Sequence, residues 1–343
     1  MRNNWGNLYL SSTLWKGWWI LKVQTTSIEH IANSNSKQVA NALRAGNYSL
    51  LESFGCHKMR KEMRLVGFVC RVILWISERR ARRRPGEFGK NLRLQIASLL
   101  NWGAPSKILG VFPQPNRGLV FGFNHPTLGE IIRLIAVCLS EYPNRKYLFP
   151  VNIAWYEELA PVAERMEAFG LYITPTITPS TREKMSKIID AEKMSIIDKL
   201  ARDFNYDYLA GCNKFIAENN VIMIAPSATR QATVFKTSKQ YRGSEKIEPP
   251  TMTLIAMSLE KANVLDNCLF VPIAIIPPDK YSRRLNLFKT YKIAPCDYIP
   301  PEVIRKNCKN KNSVSKQRMF EHFFLLAIAE ELMEERAEHL VSP

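Results

Sequence analysis

Four short apolar runs, each cut off abruptly, set the strongest limit on what this chain can become. Val120-Phe121-Gly122-Phe123 ends at Asn124-His125, and Asn220 to Ile224 ends at Ala225-Pro226. Leu269 to Ile276 is stopped by Pro277-Pro278, and Phe169 to Pro175 is the fourth. Short continuous runs rich in Val, Ile and Phe, bounded by turn residues, read as buried strands. Helical stretches lie around them: residues 57–84, closed by Pro85-Gly86, then 88–102, and another helix opening at Ile131. Glu183 to Asp190 and Glu192 to Asp198 nearly repeat each other, and their Met and Ile spacing predicts one long helix with an apolar face. A C-terminal helix is expected over 316–339, while Ala32 to Lys37 and residues 236–250 read as loops. Strands alternating with helices predict an α/β fold with a mixed, largely parallel sheet covered on both faces.

The chemistry concentrates where the first of these strands ends. His125 follows Asn124 directly, and Glu130 comes after four intervening residues, just before a helical stretch. An imidazole delivered to a strand end can take a proton from an alcohol. A carboxylate about one turn away can fix its tautomer and stabilise the imidazolium. The run from Asn220 to Ile224 is followed by Ala225-Pro226-Ser227-Ala228-Thr229-Arg230-Gln231, a turn carrying a single cation. A guanidinium there suits a phosphate, because its planar fork can hold two oxygens at once.

In order and spacing these segments resemble the glycerolipid acyltransferase superfamily, over roughly residues 105 to 285. The family's first block is Asn-His with an Asp five places later; Asn124 and His125 match it, and Glu130 stands for the Asp. Its second block runs Gly-x-x-Phe-Ile-Asp-Arg; Gly170 and Ile173 fit, with Thr174-Pro175 in place of Asp-Arg. The third is commonly Phe-Pro-Glu-Gly-Thr-Arg-Ser, which Pro226, Thr229 and Arg230 match while Ser227 and Ala228 replace Glu-Gly. Ile224-Ala225-Pro226-Ser227 is also similar to the soluble plastid-type glycerol-3-phosphate enzymes, though Ala232 replaces their second Arg. The fourth block, Val-Pro with small residues after it, matches at Val271, Pro272 and Ala274.

The resemblance implies transfer of an acyl chain from coenzyme A or acyl carrier protein to glycerol 3-phosphate or a lysophospholipid. His125 would be the general base assisted by Glu130, and Asn124, Ser227, Thr229 and Arg230 would bind substrate. No metal and no cofactor beyond the acyl donor is implied. The departures from the family's blocks leave a second expectation open, an acyltransferase fold that has lost its chemistry and serves as a lipid-binding protein.

Charge is spread unevenly. Residues 1–95 hold 17 Lys or Arg against 5 Asp or Glu, a net of +12 out of +17 for all 343 residues. The peak is Arg79-Arg80-Ala81-Arg82-Arg83-Arg84, and Trp5, Trp15, Trp18 and Trp19 are four of the seven tryptophans. Trp favours the bilayer interface and clustered Arg favours anionic headgroups. No segment reaches the ~20 apolar residues of a membrane-spanning helix, and Lys16 interrupts the candidate signal-peptide run. The expectation is therefore a basic, Trp-rich helical extension over 1–95 touching an anionic membrane surface at its cytoplasmic face. Residues 96–343 would form the acyltransferase domain. Leu65 to Ile76, with Arg71 inside it, reads equally as a core helix. No helix-turn-helix, zinc-finger or aromatic sheet motif accompanies the charge, so nucleic acid is not an expected partner. The seven cysteines show no C-x-x-C spacing, which points to reduced thiols and argues against a zinc site or disulfide scaffold.

Overall fold

The computed structural model describes residues 28–46, 48–83, 86, 88–124, 130–225, 251–276, 278 and 288–308. Seven strands form one sheet: β1 (Ser106–Ile108), β2 (Gly118–Phe123), β3 (Tyr147–Asn152), β4 (Leu171–Thr176), β5 (Val221–Ile224), β6 (Cys268–Ile276) and β7 (Tyr291–Pro295). Their order is β1-β7-β6-β2-β5-β3-β4, and every pairing is parallel except β6 with β7. The α/β class and the largely parallel, mixed sheet are as expected. Three of the strands, β1, β3 and β7, are additions to the four apolar runs of the sequence.

Alternate side chains of the strands feed two separate cores. Leu119, Phe121 and Phe123 of β2 join Val221 and Met223 of β5 and Val271, Ile273 and Ile275 of β6 on one face. That face is covered by α4 (His57–Arg82), α5 (Phe88–Gly103), α6 (Glu130–Glu141) and α7 (Ile153–Leu159). Val120, Ile222, Ile224, Phe270 and Ala274 point the other way. They meet α10 (Ala191–Ala217), α11 (Thr251–Lys261) and α12 (Pro301–Cys308). β6 is buried at all nine positions, which is why it reads as a continuous apolar run with no alternation.

Two local expectations are corrected. The long helix foreseen across the near-repeat is two helices, α9 (Pro179–Ser186) and α10. Asp190 starts α10 afresh: its carboxylate accepts the Lys193 N–H at 2.9 Å, so a cap falls where helix was expected to continue. Likewise, Ala32 to Lys37 is not a loop but the junction of α1 (Ile28–Asn33) and α2 (Ser36–Arg44). There Asn35 and Gln38 cap each other's backbone N–H groups in a capping box. The expected helices over 57–84 and 88–102 correspond to α4 and α5, while the C-terminal helix expected over 316–339 and the loop over 236–250 lie outside the described residues.

Alpha10 carries both cores. Met194, Ile197, Leu200 and Phe204 join the first, and Tyr208, Cys212, Phe215 and Ile216 the second. Its second half is pressed onto the start of β2, where Gly118 leaves no room: a Cβ there would lie 2.7 Å from the Ile216 side chain and 3.0 Å from its Cα. The backbone contact cannot be relieved by a rotamer change. Gly118→Val should therefore cost about 1–3 kcal/mol or more of stability by overpacking. Urea unfolding followed by circular dichroism measures it, and an unchanged midpoint would show that α10 can retreat.

Candidate active site

The connections out of β2 and β5 define where a ligand would sit. These two strands are neighbours, paired from Leu119–Val221 to Gly122–Ile224. The chain leaving β2 resumes in α6, on the first-core face, whereas the chain leaving β5 resumes in α11, on the other. Connections that diverge in this way mark the carboxyl ends of the strands between them as the usual ligand position in open α/β sheets. Asn124 and Ala225 are the last described residues on either side of it.

Asn124 is only 3 % exposed and both ends of its amide are engaged. Its Nδ2 donates to the Ile275 carbonyl at 2.8 Å, and its Oδ1 accepts the Ile275 N–H at 2.6 Å. A side chain thus continues the β2–β6 ladder past Phe123–Ile273, fixing where the backbone leaves β2. Both polar atoms of the amide bond β6, so Asn124 holds the strand end.

Glu130 opens α6 and is fully buried. Its position in the first helical turn favours a negative charge through the helix dipole. One turn on, Arg133 is fully buried too, and Glu130 is one of the charges acting on it. The Arg133 guanidinium donates to the Pro105 carbonyl at 3.3 Å and the Lys289 carbonyl at 2.9 Å. It also stacks 3.8 Å from the centre of the Tyr291 ring. Burial pulls its pKa below the ordinary arginine value, opposed by Tyr291 and Glu130. Sequence reasoning passes over Arg133 as one more residue of a helix start. The signal lies in Glu130-x-x-Arg133, a spacing that puts both charges on one helix face.

His125, Ser227, Thr229 and Arg230 lie outside the described residues. The second-block positions sit on β4, at the far edge of the sheet. Three strand spacings separate β4 from β2, ~14 Å in all. Gly170 leads into β4 with a φ of +88°, and a Cβ there would lie 2.8 Å from the guanidinium of Arg93, which donates to the Phe169 carbonyl at 2.7 Å. Val271 and Ala274 of the fourth block are buried in β6, one in each core.

Most of the described thiols are poorly placed to act as a nucleophile. Cys56, Cys138, Cys212 and Cys268 are buried, in keeping with a core role. Burial pushes Cys70 up to about 11 and Cys212 and Cys268 up to about 12, so they stay protonated at neutral pH. Comparison with known proteins returns no matching family model and no matching curated sequence.

Two stability measurements check this geometry. Asn124→Ala strands two buried backbone groups of Ile275, at about 1–3 kcal/mol each, and should lower the urea midpoint accordingly. A loss below about 1 kcal/mol would mean that the backbone re-pairs without the amide. Arg133→Met should cost about 3–5 kcal/mol, because it removes a buried charge whose guanidinium is bonded to the Pro105 and Lys289 carbonyls. Combined with Glu130→Gln, the total should fall short of the sum of the single changes; strict additivity would show the two charges to be independent.

Proposed function

We propose that this chain is an O-acyltransferase, moving a fatty acyl group from acyl-CoA or acyl carrier protein to a hydroxyl of glycerol 3-phosphate or a lysophospholipid. One observation carries the reading. The strand that leads into Asn124, with His125 next in sequence, is a central one of the largely parallel sheet, and a buried carboxylate opens the following helix. The carboxyl edge is where such sheets bind ligands, which supports a base at the residue after Asn124 with Glu130 as its orienting group.

On this reading His125 takes the proton from the acceptor hydroxyl as its oxygen attacks the thioester carbonyl. The new C–O bond forms and the C–S bond breaks, and the proton passes from the imidazolium to the departing thiolate. Glu130 steadies the positive imidazole, and Ser227, Thr229 and Arg230 hold the acceptor, Arg230 through its phosphate. Asn124 contributes by fixing the strand end. The acyl donor is a substrate, and no resident cofactor or metal is invoked. Replacement of the family's Asp-Arg by Thr174-Pro175 falls on the edge strand, so it bears on acceptor choice more than on proton transfer. An acceptor that is itself a lipid puts the enzyme at a membrane surface, as a peripheral protein of the cytoplasmic face. Among the described residues no helix is long and apolar enough to cross a membrane.

A second reading, a lipid-binding protein on the same fold without turnover, is favoured by the burial of Glu130 one turn from Arg133. A carboxylate engaged with an arginine is less available to a histidine.

An acyl-transfer assay of the purified chain across both donors and both acceptors decides between them. His125→Ala should lower turnover by about 10²- to 10⁴-fold with an unchanged Tm, and retention of more than about a tenth rejects the base. Arg230→Lys should raise KM for the phosphorylated acceptor only, because it keeps the charge and loses the fork. Glu130→Asp restores the family's usual residue; a wild-type protein inactive with every substrate pair and revived by this change would establish the second reading.

A further inference from the structure

We infer that the outward face of α4 is a docking surface for an anionic lipid bilayer, which deepens the peripheral placement above by naming the contact. Phe68, Val72, Trp75 and Arg79 recur at spacings of four, three and four, so they form one stripe along the helix. Gly67, Leu74, Ser77 and Ala81 form the opposite, buried stripe. Rotation about the helix axis is fixed by close packing on α7: a Cβ on Gly67 would lie 2.9 Å from the Glu158 Cβ and 3.1 Å from its carbonyl oxygen. The stripe therefore faces outward, with Phe68 45 % and Trp75 53 % exposed, Val72 half-buried between them and Val69 beside it exposed.

Charge selects the occupant. Arg79, Arg80, Arg82 and Arg83 are all exposed at the end of this stripe, and Arg79 stacks over the Trp75 ring at 5.5 Å. Glu78, the only acidic residue from 63 to 84, is drawn inward to Arg165 at 2.8 Å. An apolar patch ending in clustered arginine matches the acyl boundary and the phosphates of a bilayer, two layers met at once by a helix lying in the interface. A second copy of this chain would bring four arginines against four. A nucleic acid would match the arginines but gain little from Phe68, Val69 and Val72.

Vesicle flotation with the full chain tests the proposal, using phosphatidylcholine alone or mixed with phosphatidylserine. Wild type should float with the anionic vesicles. Phe68→Ser with Trp75→Ser, both surface changes, should weaken binding about tenfold or more through lost apolar burial and leave the remainder salt-sensitive. Gln at positions 79, 80, 82 and 83 should weaken it about a hundredfold at low salt, and less in high salt where charges are screened. Circular dichroism confirms that each variant is folded. The proposal is overturned if wild type fails to float, or if both variants bind as wild type does. Binding to an oligonucleotide but to neither vesicle overturns it too, as does a dimer abolished by the Phe68 and Trp75 changes. Flotation needs no turnover, so failure of the acyl-transfer reading leaves this result standing.

Discussion

The ladder between β2 and β6 runs from Gly118–Cys268 to Phe123–Ile273, and the Asn124 amide then adds one more rung by bonding both backbone groups of Ile275. A backbone pair can end anywhere, but a side-chain pair ends at one residue. The chain beyond β2 therefore departs from a fixed point at the carboxyl ends of β2 and β5. Net hydrogen bonds contribute modestly to stability, about 1 kcal/mol each, so the larger consequence is geometric. The base proposed at the next residue depends on that fixed departure.

Glu130 and Arg133 do the equivalent work at the start of α6. A buried cation is costly unless its donors are met. Arg133 meets its donors with carbonyls from the α5–β1 connection and from just before β7, and rests on Tyr291. One side chain thus ties the first turn of α6 to two other segments of the sheet's first-core side. Glu130 is carried in the same turn, and its position is inherited from that arrangement. Pairing of this kind suits a positioned carboxylate, and it equally explains why the fold would retain Glu130 had its chemistry been lost.

Much of the frame is legible because burial on both faces writes itself into sequence as unbroken apolar runs. β2, β5 and β6, apolar throughout and abruptly stopped, announce themselves this way, and β4 overlaps the fourth run, Phe169 to Pro175. The other strands lack that signature. β1 has three residues with Lys107 exposed, β3 carries Pro150, and β7 alternates Lys292 among buried neighbours. The break before α10 is hidden because Asp190 is as acceptable on a helix surface as at a cap, and only the chain's change of direction decides which. Of the site, the apolar strand end at Asn124 and the carboxylate at Glu130 are visible in sequence. Arg133 is not, since its role comes from Pro105, Lys289 and Tyr291, all distant along the chain.

Alpha10 has a consequence for how the molecule comes apart. One stripe on its 27 residues serves both cores, and the Ser36 hydroxyl at the start of α2 donates to Asp207 within it at 2.6 Å. Losing either core would strip half of that helix of its cover, and helices in water hold together mainly through such packing. The N-terminal helices and the two faces of the sheet are thereby joined in one cooperative unit. Loosening the second core alone would therefore carry an energetic cost felt as far away as α2.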